Sequence, residues 1–285
     1  MNFLKKYKGQ FVIGIFILLM GVFTFNDLEI SQALINKNCV WANIMERVGE
    51  HPAMILGFIG SSILMKLYKP TSLKPKNIIM YGAMTCLAFF GAFGLWVMSA
   101  DRWFGILNTT VMILGVIFAI SLIVVTQFML KSVKVETLEE YKNAAIVSII
   151  CAFLMQMVLQ GGLKVIWGRV RPRDLLADVS NFTPWYLPQG ITGNASFPSG
   201  HSFNGWSLIL LTLYIKKDNV KLYNFTWIFA IVFGILVCLS RVIVAAHFPS
   251  DVLVGAMIMI SSFYASKRIV YKDSQNVKID IGVKI

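Results

Sequence analysis

The stretch FTWIFAIVFGILVCLSRVIVAAHFPSD, residues 225–251, decides the fold. Residues 225–246 hold one charged residue, Arg241. A helix needs roughly 20 mostly apolar residues to cross the hydrocarbon core of a bilayer. This run is long enough to cross. Its far end then gathers Arg241, His247, Pro249 and Asp251. Charged groups at the edge of an apolar helix are costly without a partner, so they mark a site by default.

The rest of the chain repeats the pattern. Runs near 10–26, 52–68, 78–99, 105–130, 144–167, 201–216 and 251–267 complete a set of eight expected crossings. Of the 285 residues, 57% are hydrophobic and only 14% charged, and the mean hydropathy is +0.70. A soluble domain carries about 25% charged residues. The fold class is therefore all-α, a polytopic transmembrane helix bundle of about eight spans. Lys5, Lys6 and Lys8 precede the first run, which has no small-residue cleavage site and is expected to remain as a helix. Cys39, Cys86, Cys151 and Cys238 form no paired motif and read as small apolar residues.

The net charge of +12 follows from topology and not from nucleic-acid binding. With the first residue in the cytoplasm and eight alternating crossings, about 18 Lys and Arg face inward and about 8 outward. Both termini are then cytoplasmic. Five of the outward cations crowd at 164–173 and 241. The expected organisation is N-terminal spans over 1–143, a catalytic membrane core over 144–267 and a cytoplasmic tail over 268–285. Segment 27–51 lies outside in this scheme, with Leu34, Ile35, Trp41, Ile44 and Val48 spaced as an amphipathic surface helix.

Three polar segments fall at the same outer layer. In the first, Lys164 precedes Arg171-Pro172 by about two turns and can share a helix face with Arg171 if the helix continues. Two such cations suit a phosphate dianion. In the second, Pro198-Ser199-Gly200-His201, Ser199 is positioned to cap a helix whose free N–H groups favour an anion. In the third, Ser240-Arg241 leads to His247, and Asp251 is placed either to cap the next helix or to bond His247. His51 reads as a turn residue. Arg169 and Arg173 are extra cations that suit a second phosphate, a headgroup or interfacial anchoring. The aromatic run Phe182, Trp185, Tyr186 suits an interfacial belt or a substrate entrance.

Lys, six residues, Arg-Pro; Pro-Ser-Gly-His; Ser-Arg, five residues, His, three residues, Asp: together these resemble the three-part signature of the type 2 phosphatidic acid phosphatase superfamily, which includes acid phosphatases and vanadium haloperoxidases. The resemblance covers roughly 144–267. It implies a six-helix membrane core and a phosphatase that needs no cofactor or metal. It implies that His247 is the nucleophile forming a phosphohistidine, Asp251 the carboxylate orienting it and His201 the general acid. Lys164, Arg171, Ser199, Gly200 and Arg241 then cradle the phosphate. The implied substrate is a lipid phosphate or diphosphate at the outer face, of the undecaprenyl diphosphate, phosphatidylglycerol phosphate or phosphatidic acid type. A phosphotransferase using the same residues is one alternative. A transporter with a degenerate site is another, although few charges lie in mid-membrane.

Overall fold

A computed structural model of the chain describes residues 8–70, 75–216 and 218–280. Lys5, Lys6, Lys74 and Lys217, counted above for orientation, lie outside the described residues, as does the tail beyond 280. The helices are α1 (Lys8–Leu34), α2 (Val40–Val48), α3 (His51–Leu67), α4 (Pro75–Phe104), α5 (Thr109–Leu130), α6 (Val135–Glu140), α7 (Lys142–Leu154), α8 (Lys164–Trp167), α9 (Gly200–Trp206), α10 (Val220–Ile243) and α11 (Pro249–Asp280). Seven helical stretches among the described residues are long and apolar enough to cross a membrane. The protein is a multi-pass membrane bundle.

Two expected boundaries move, for one reason. The first crossing was expected to end near residue 26 and the third near residue 99, each close to the first charged residues. Instead α1 runs through Asp27 to Leu34 and α4 runs through Arg102 to Phe104. Both charges are partnered: Asp27 meets Arg169, and Arg102 meets Glu50. A charge that is neutralised inside the protein no longer terminates a buried helix. The surface helix expected within 27–51 shortens to α2. Its Ala42 is buried against α10 and its Glu46 reaches Arg241, while Val40, Trp41 and Ile44 stay exposed. The tail expected from residue 268 continues α11 to Asp280.

The crossing expected over 201–216 is a compound element. Helix α9 passes directly into a 3₁₀ segment, Ser207–Tyr214. The tighter winding rises about 2.0 Å per residue against 1.5 Å in an α-helix. Fifteen residues so wound span about 26 Å, close to the ~30 Å core. At its far end Tyr214 stacks on Tyr141, and its hydroxyl is 3.0 Å from Ser148 Oγ on α7. The element therefore traverses the bundle antiparallel to α7. Helix α7 itself widens into a π-helical segment, Met155–Leu163, before α8.

Helix α3 is central, with most of its residues buried, whereas most of α5 is exposed or half-buried. One apolar cluster joins α7, α9, α10 and α11 through Val147, Met155, Phe203, Ala230 and Met259. A second joins α3, α4 and α5 through Phe58, Leu64, Ala88, Ala92 and Ala119. Small residues permit this close approach, as expected of helices packing in lipid. The tightest joint is main chain on main chain. The Ser199 N–H donates to the Asp251 carbonyl at 3.0 Å. A Cβ placed on Gly255 would overlap the Ser199 carbonyl oxygen.

Gly255→Ala is expected to cost about 1–3 kcal/mol through forced separation of α9 and α11, read as a lower melting temperature in detergent. Gly21→Ala, on α1 where a Cβ meets nothing within 4 Å, is expected to leave it unchanged.

Candidate active site

The polar residues gather at one end of the bundle because successive helices end or begin there. Helix α8 stops at Trp167 because Gly168 adopts a left-handed conformation, φ 52°. A side chain there would overlap the Gly190 carbonyl and Thr192. The chain turns and Arg171 is extended, with φ −87° and ψ 152°. The helix does not continue to Arg171, so Lys164 and Arg171 do not share a helix face. The turn, and not helix periodicity, brings them to one site. Lys164 is buried and interacts electrostatically with Arg171, Arg241, Glu50 and Asp251.

Ser199 caps α9 as expected, its Oγ accepting from the Ser202 N–H at 3.3 Å. His201, one residue into the helix, is 5% exposed. Its Nδ1 lies 2.9 Å from Glu50 Oε1. Its Nε2 is buried and has no partner within the protein. Arg241, near the end of α10, sits with Nη1 2.7 Å from Glu46 Oε1. Its carbonyl accepts from the Ala246 and His247 N–H groups at 3.0 and 3.1 Å. Ala245, with φ 59°, makes the reversal that places His247 beside it.

His247 is 1% exposed. Its Nδ1 is 3.6 Å from Asp251 Oδ2, longer than a hydrogen bond but close enough for the carboxylate to act as a neighbouring charge. Asp251 is otherwise saturated. Its Oδ2 accepts from Ser196 Oγ at 2.5 Å and from the Phe248 N–H at 2.9 Å, and its Oδ1 accepts from Arg169 at 2.6 Å. So Asp251 both caps α11 and faces His247, the two roles that the sequence left open. Burial pushes the His247 imidazole well below its usual 6.5, and the cations Lys164 and Arg241 push the same way while Asp251 opposes them. The ring is neutral at neutral pH, the form in which a nitrogen lone pair can attack an electrophile.

Arg169 departs most from its sequence reading. Its sequence position suited a second phosphate, a headgroup or interfacial anchoring. It is instead fully buried. Its guanidinium bonds Asp251 on one side and Asp27 on the other at 2.6 and 2.8 Å, and reaches Ser250 Oγ and the Thr183 carbonyl at 2.9 Å. The Phe248 ring stacks below it at 4.0 Å. With all three of its nitrogens bonded, Arg169 is a tie between α1 and α11. Arg173 remains exposed, 3.9 Å from Asp174. The aromatic loop folds inward as well: Phe182 lies edge-on to Phe248, and Trp185 donates to Thr24 Oγ1 on α1. His51, read as a turn residue, opens α3 and lies 3.0 Å from Ser99 Oγ.

With this geometry in view, the comparisons with known proteins are informative. A family model described as the PAP2 superfamily matches residues 145–275. The chain carries a PAP2 superfamily domain. An undecaprenyl-diphosphatase of Sulfolobus acidocaldarius is 28% identical over 109 residues, covering 38% of this chain and 47% of that protein. The match thus spans about half the length of the relative. No solved structure matches the chain. The PAP2 domain contains Lys164, Arg171, Ser199, Gly200, Arg241 and both site histidines. Asp27, Glu46, Glu50 and Arg102 lie before it, yet each contacts a domain residue or its partner. Sequence reasoning missed these four. Their one signal was that Asp27, Glu46, Glu50 and Arg102 share the outer layer with the motifs in an otherwise charge-poor chain.

Arg169→Met would leave Asp27 and Asp251 buried without their cation. A loss of about 3–5 kcal/mol is expected, seen as a collapse in melting temperature, with Arg173→Met near wild type. His247 gives a pH signature. It is held neutral in the fold but takes up a proton when unfolded, so its stabilisation is complete above about 6.5 and is lost as pH falls toward the depressed folded value. The melting temperature is expected to fall from pH 7 to pH 5, and less steeply in His247→Asn.

Proposed function

We propose that the protein is an integral membrane phosphatase that removes phosphate from a lipid through a phosphohistidine on His247. The observation that carries this reading is an imbalance of charge. Arg102, Arg169 and Arg241 each meet a carboxylate, whereas Lys164 and Arg171 form no such ion pair among the described residues. Two converging cations beside two carboxylate-backed histidines lack one thing, a compact anion. A phosphate dianion supplies it.

The steps follow from the roles. Lys164, Arg171, Arg241 and the start of α9, with Ser199 and Gly200, hold the phosphoryl oxygens. His247 attacks phosphorus with Nε2, since Nδ1 faces Asp251. The bond to the leaving oxygen breaks, and that oxygen takes a proton from His201 Nε2. Water then attacks the phosphohistidine, giving up a proton to His201 as the N–P bond breaks, and inorganic phosphate leaves. Charge spread over the equatorial oxygens is met by fixed cations, the main contribution in phosphoryl transfer.

A lipid is favoured over a soluble ester by the surroundings. An apolar cavity of about 470 Å³ lies between α3, α4 and α7, lined by Met54, Leu87, Phe93 and Phe153. Its polar lining is Ser61, Gln156 and Asn204, the last about one turn along α9 from His201. That arrangement suits a hydrocarbon chain attached to a phosphate in the site. A polyprenyl diphosphate is placed first because of the name the Sulfolobus relative bears. Phosphatidylglycerol phosphate and phosphatidic acid remain in the same class. An excess of Lys and Arg at the opposite end supports a cytoplasmic position for that end and an extracytoplasmic one for the site. The catalytic core is residues 144–267, and the preceding helices complete it.

Phosphate release in detergent is measured for wild type and His247→Ala on undecaprenyl diphosphate, phosphatidylglycerol phosphate and phosphatidic acid, with and without EDTA. Wild type is expected to release phosphate equally with EDTA, and His247→Ala at least about 10³-fold more slowly. Equal release by the two proteins would remove His247 from the chemistry.

A further inference from the structure

We propose that Glu50, clamped by Arg102, is the positioning residue that orients His201 and sustains its protonated form, so that each histidine of the site works with its own carboxylate. The proposal rests on the reading of His201 as proton donor. Glu50 immediately precedes α3 and is 5% exposed. Its Oε1 lies 2.9 Å from His201 Nδ1. Its Oε2 receives Arg102 Nε and Nη2, both at 3.0 Å. Both carboxylate oxygens are therefore engaged, and the side chain has one orientation. A carboxylate held in this way fixes the proton on His201 Nδ1 and leaves Nε2 to face the reacting group. That Nε2 is the buried ring nitrogen without a partner in the protein.

The arrangement parallels the other histidine. His247 faces Asp251, which is gripped by Arg169; His201 faces Glu50, which is gripped by Arg102. The contact to Glu50 is the closer one, 2.9 Å against 3.6 Å. The difference fits the chemistry. A nucleophile must be neutral to attack, whereas a proton donor must carry a full positive charge first. His201 is surrounded by Arg102 on α4 and Arg241 on α10, with Glu46 on α2 and Glu50 on α3 opposing them. Without Glu50, an imidazolium there would face two guanidinium groups with Glu46 alone to offset them. Glu50 is thus the carboxylate in direct contact with His201 that opposes those cations.

The test uses the full chain in detergent and two phosphate monoesters that differ in their need for a proton. Phosphatidic acid has an alkoxide leaving group and needs protonation; p-nitrophenyl phosphate releases a phenolate that does not. Glu50→Gln is expected to lower kcat on phosphatidic acid about 100-fold while leaving p-nitrophenyl phosphate within about threefold, with KM unchanged for both. The alkaline limb of kcat on phosphatidic acid moves to lower pH, by about one unit or more. Glu50→Asp recovers part of the lost rate. The ratio of the two rates comes from one protein sample, so it does not depend on how much of the variant is folded. If Glu50→Gln does not fold, Glu50→Asp carries the test, with a ratio between wild type and His201→Ala. Equal slowing of both esters, or of neither, with His247→Ala inactive on both, overturns the role of Glu50 and leaves the phosphatase standing. Full activity of His247→Ala on both esters removes the phosphatase reading itself.

Discussion

A guanidinium buried at the polar end of an apolar bundle needs carboxylates on both sides, and Arg169 has them in Asp27 and Asp251. Taking such ions out of water costs several kcal/mol each, which is recovered only with full hydrogen bonding. Here full bonding requires α1, the turn after α8, and the start of α11 to be in place together. The same carboxylate that closes this network faces His247. Folding of the outer layer and placement of the His247 imidazole are therefore one event. Neither can be altered without the other.

The site is best described as a balance sheet of buried charge held by two layers of contacts. Nearest the pocket are Lys164, Arg171, Arg241, His201 and His247. Behind them stand Asp251, Glu50 and Glu46, and behind those Arg169, Arg102 and Asp27. Each outer member fixes the charge and direction of an inner one. This explains why helices that precede the PAP2 domain contribute to its site. Helix α3 brings Glu50 to His201, α2 brings Glu46 to Arg241, and α1 brings Asp27 to Arg169.

Much of this was legible in the chain. Apolar runs of span length gave the crossings, and the three motifs named the residues nearest the pocket. Charges written beside a motif were less readable. Arg169 and Arg171 differ by two positions, yet the left-handed turn at Gly168 sends one into the protein core and leaves the other at the pocket edge. Nothing in the spacing distinguishes them. Glu50 is separated from His201 by most of the PAP2 domain's length and more, so no local pattern links them. Helix ends were misplaced at Asp27 and Arg102 because a charge reads as a stop unless its partner, distant in sequence, is known. The 3₁₀ crossing was legible only as a run too short for comfort.

The backbone contact between Ser199 and the α11 segment around Gly255 has a consequence for how the protein can vary. The distance between the elements that bear His201 and His247 is set by main-chain atoms, which are the same in every residue type. Side chains on the lipid-facing helices do not enter it. Helix α5 and the outer face of α1 are thus free to exchange one apolar residue for another, tuning the protein to membranes of different thickness or fluidity while the spacing of the two histidines stays constant. Adaptation to a new lipid environment and preservation of chemistry draw on separate sets of positions.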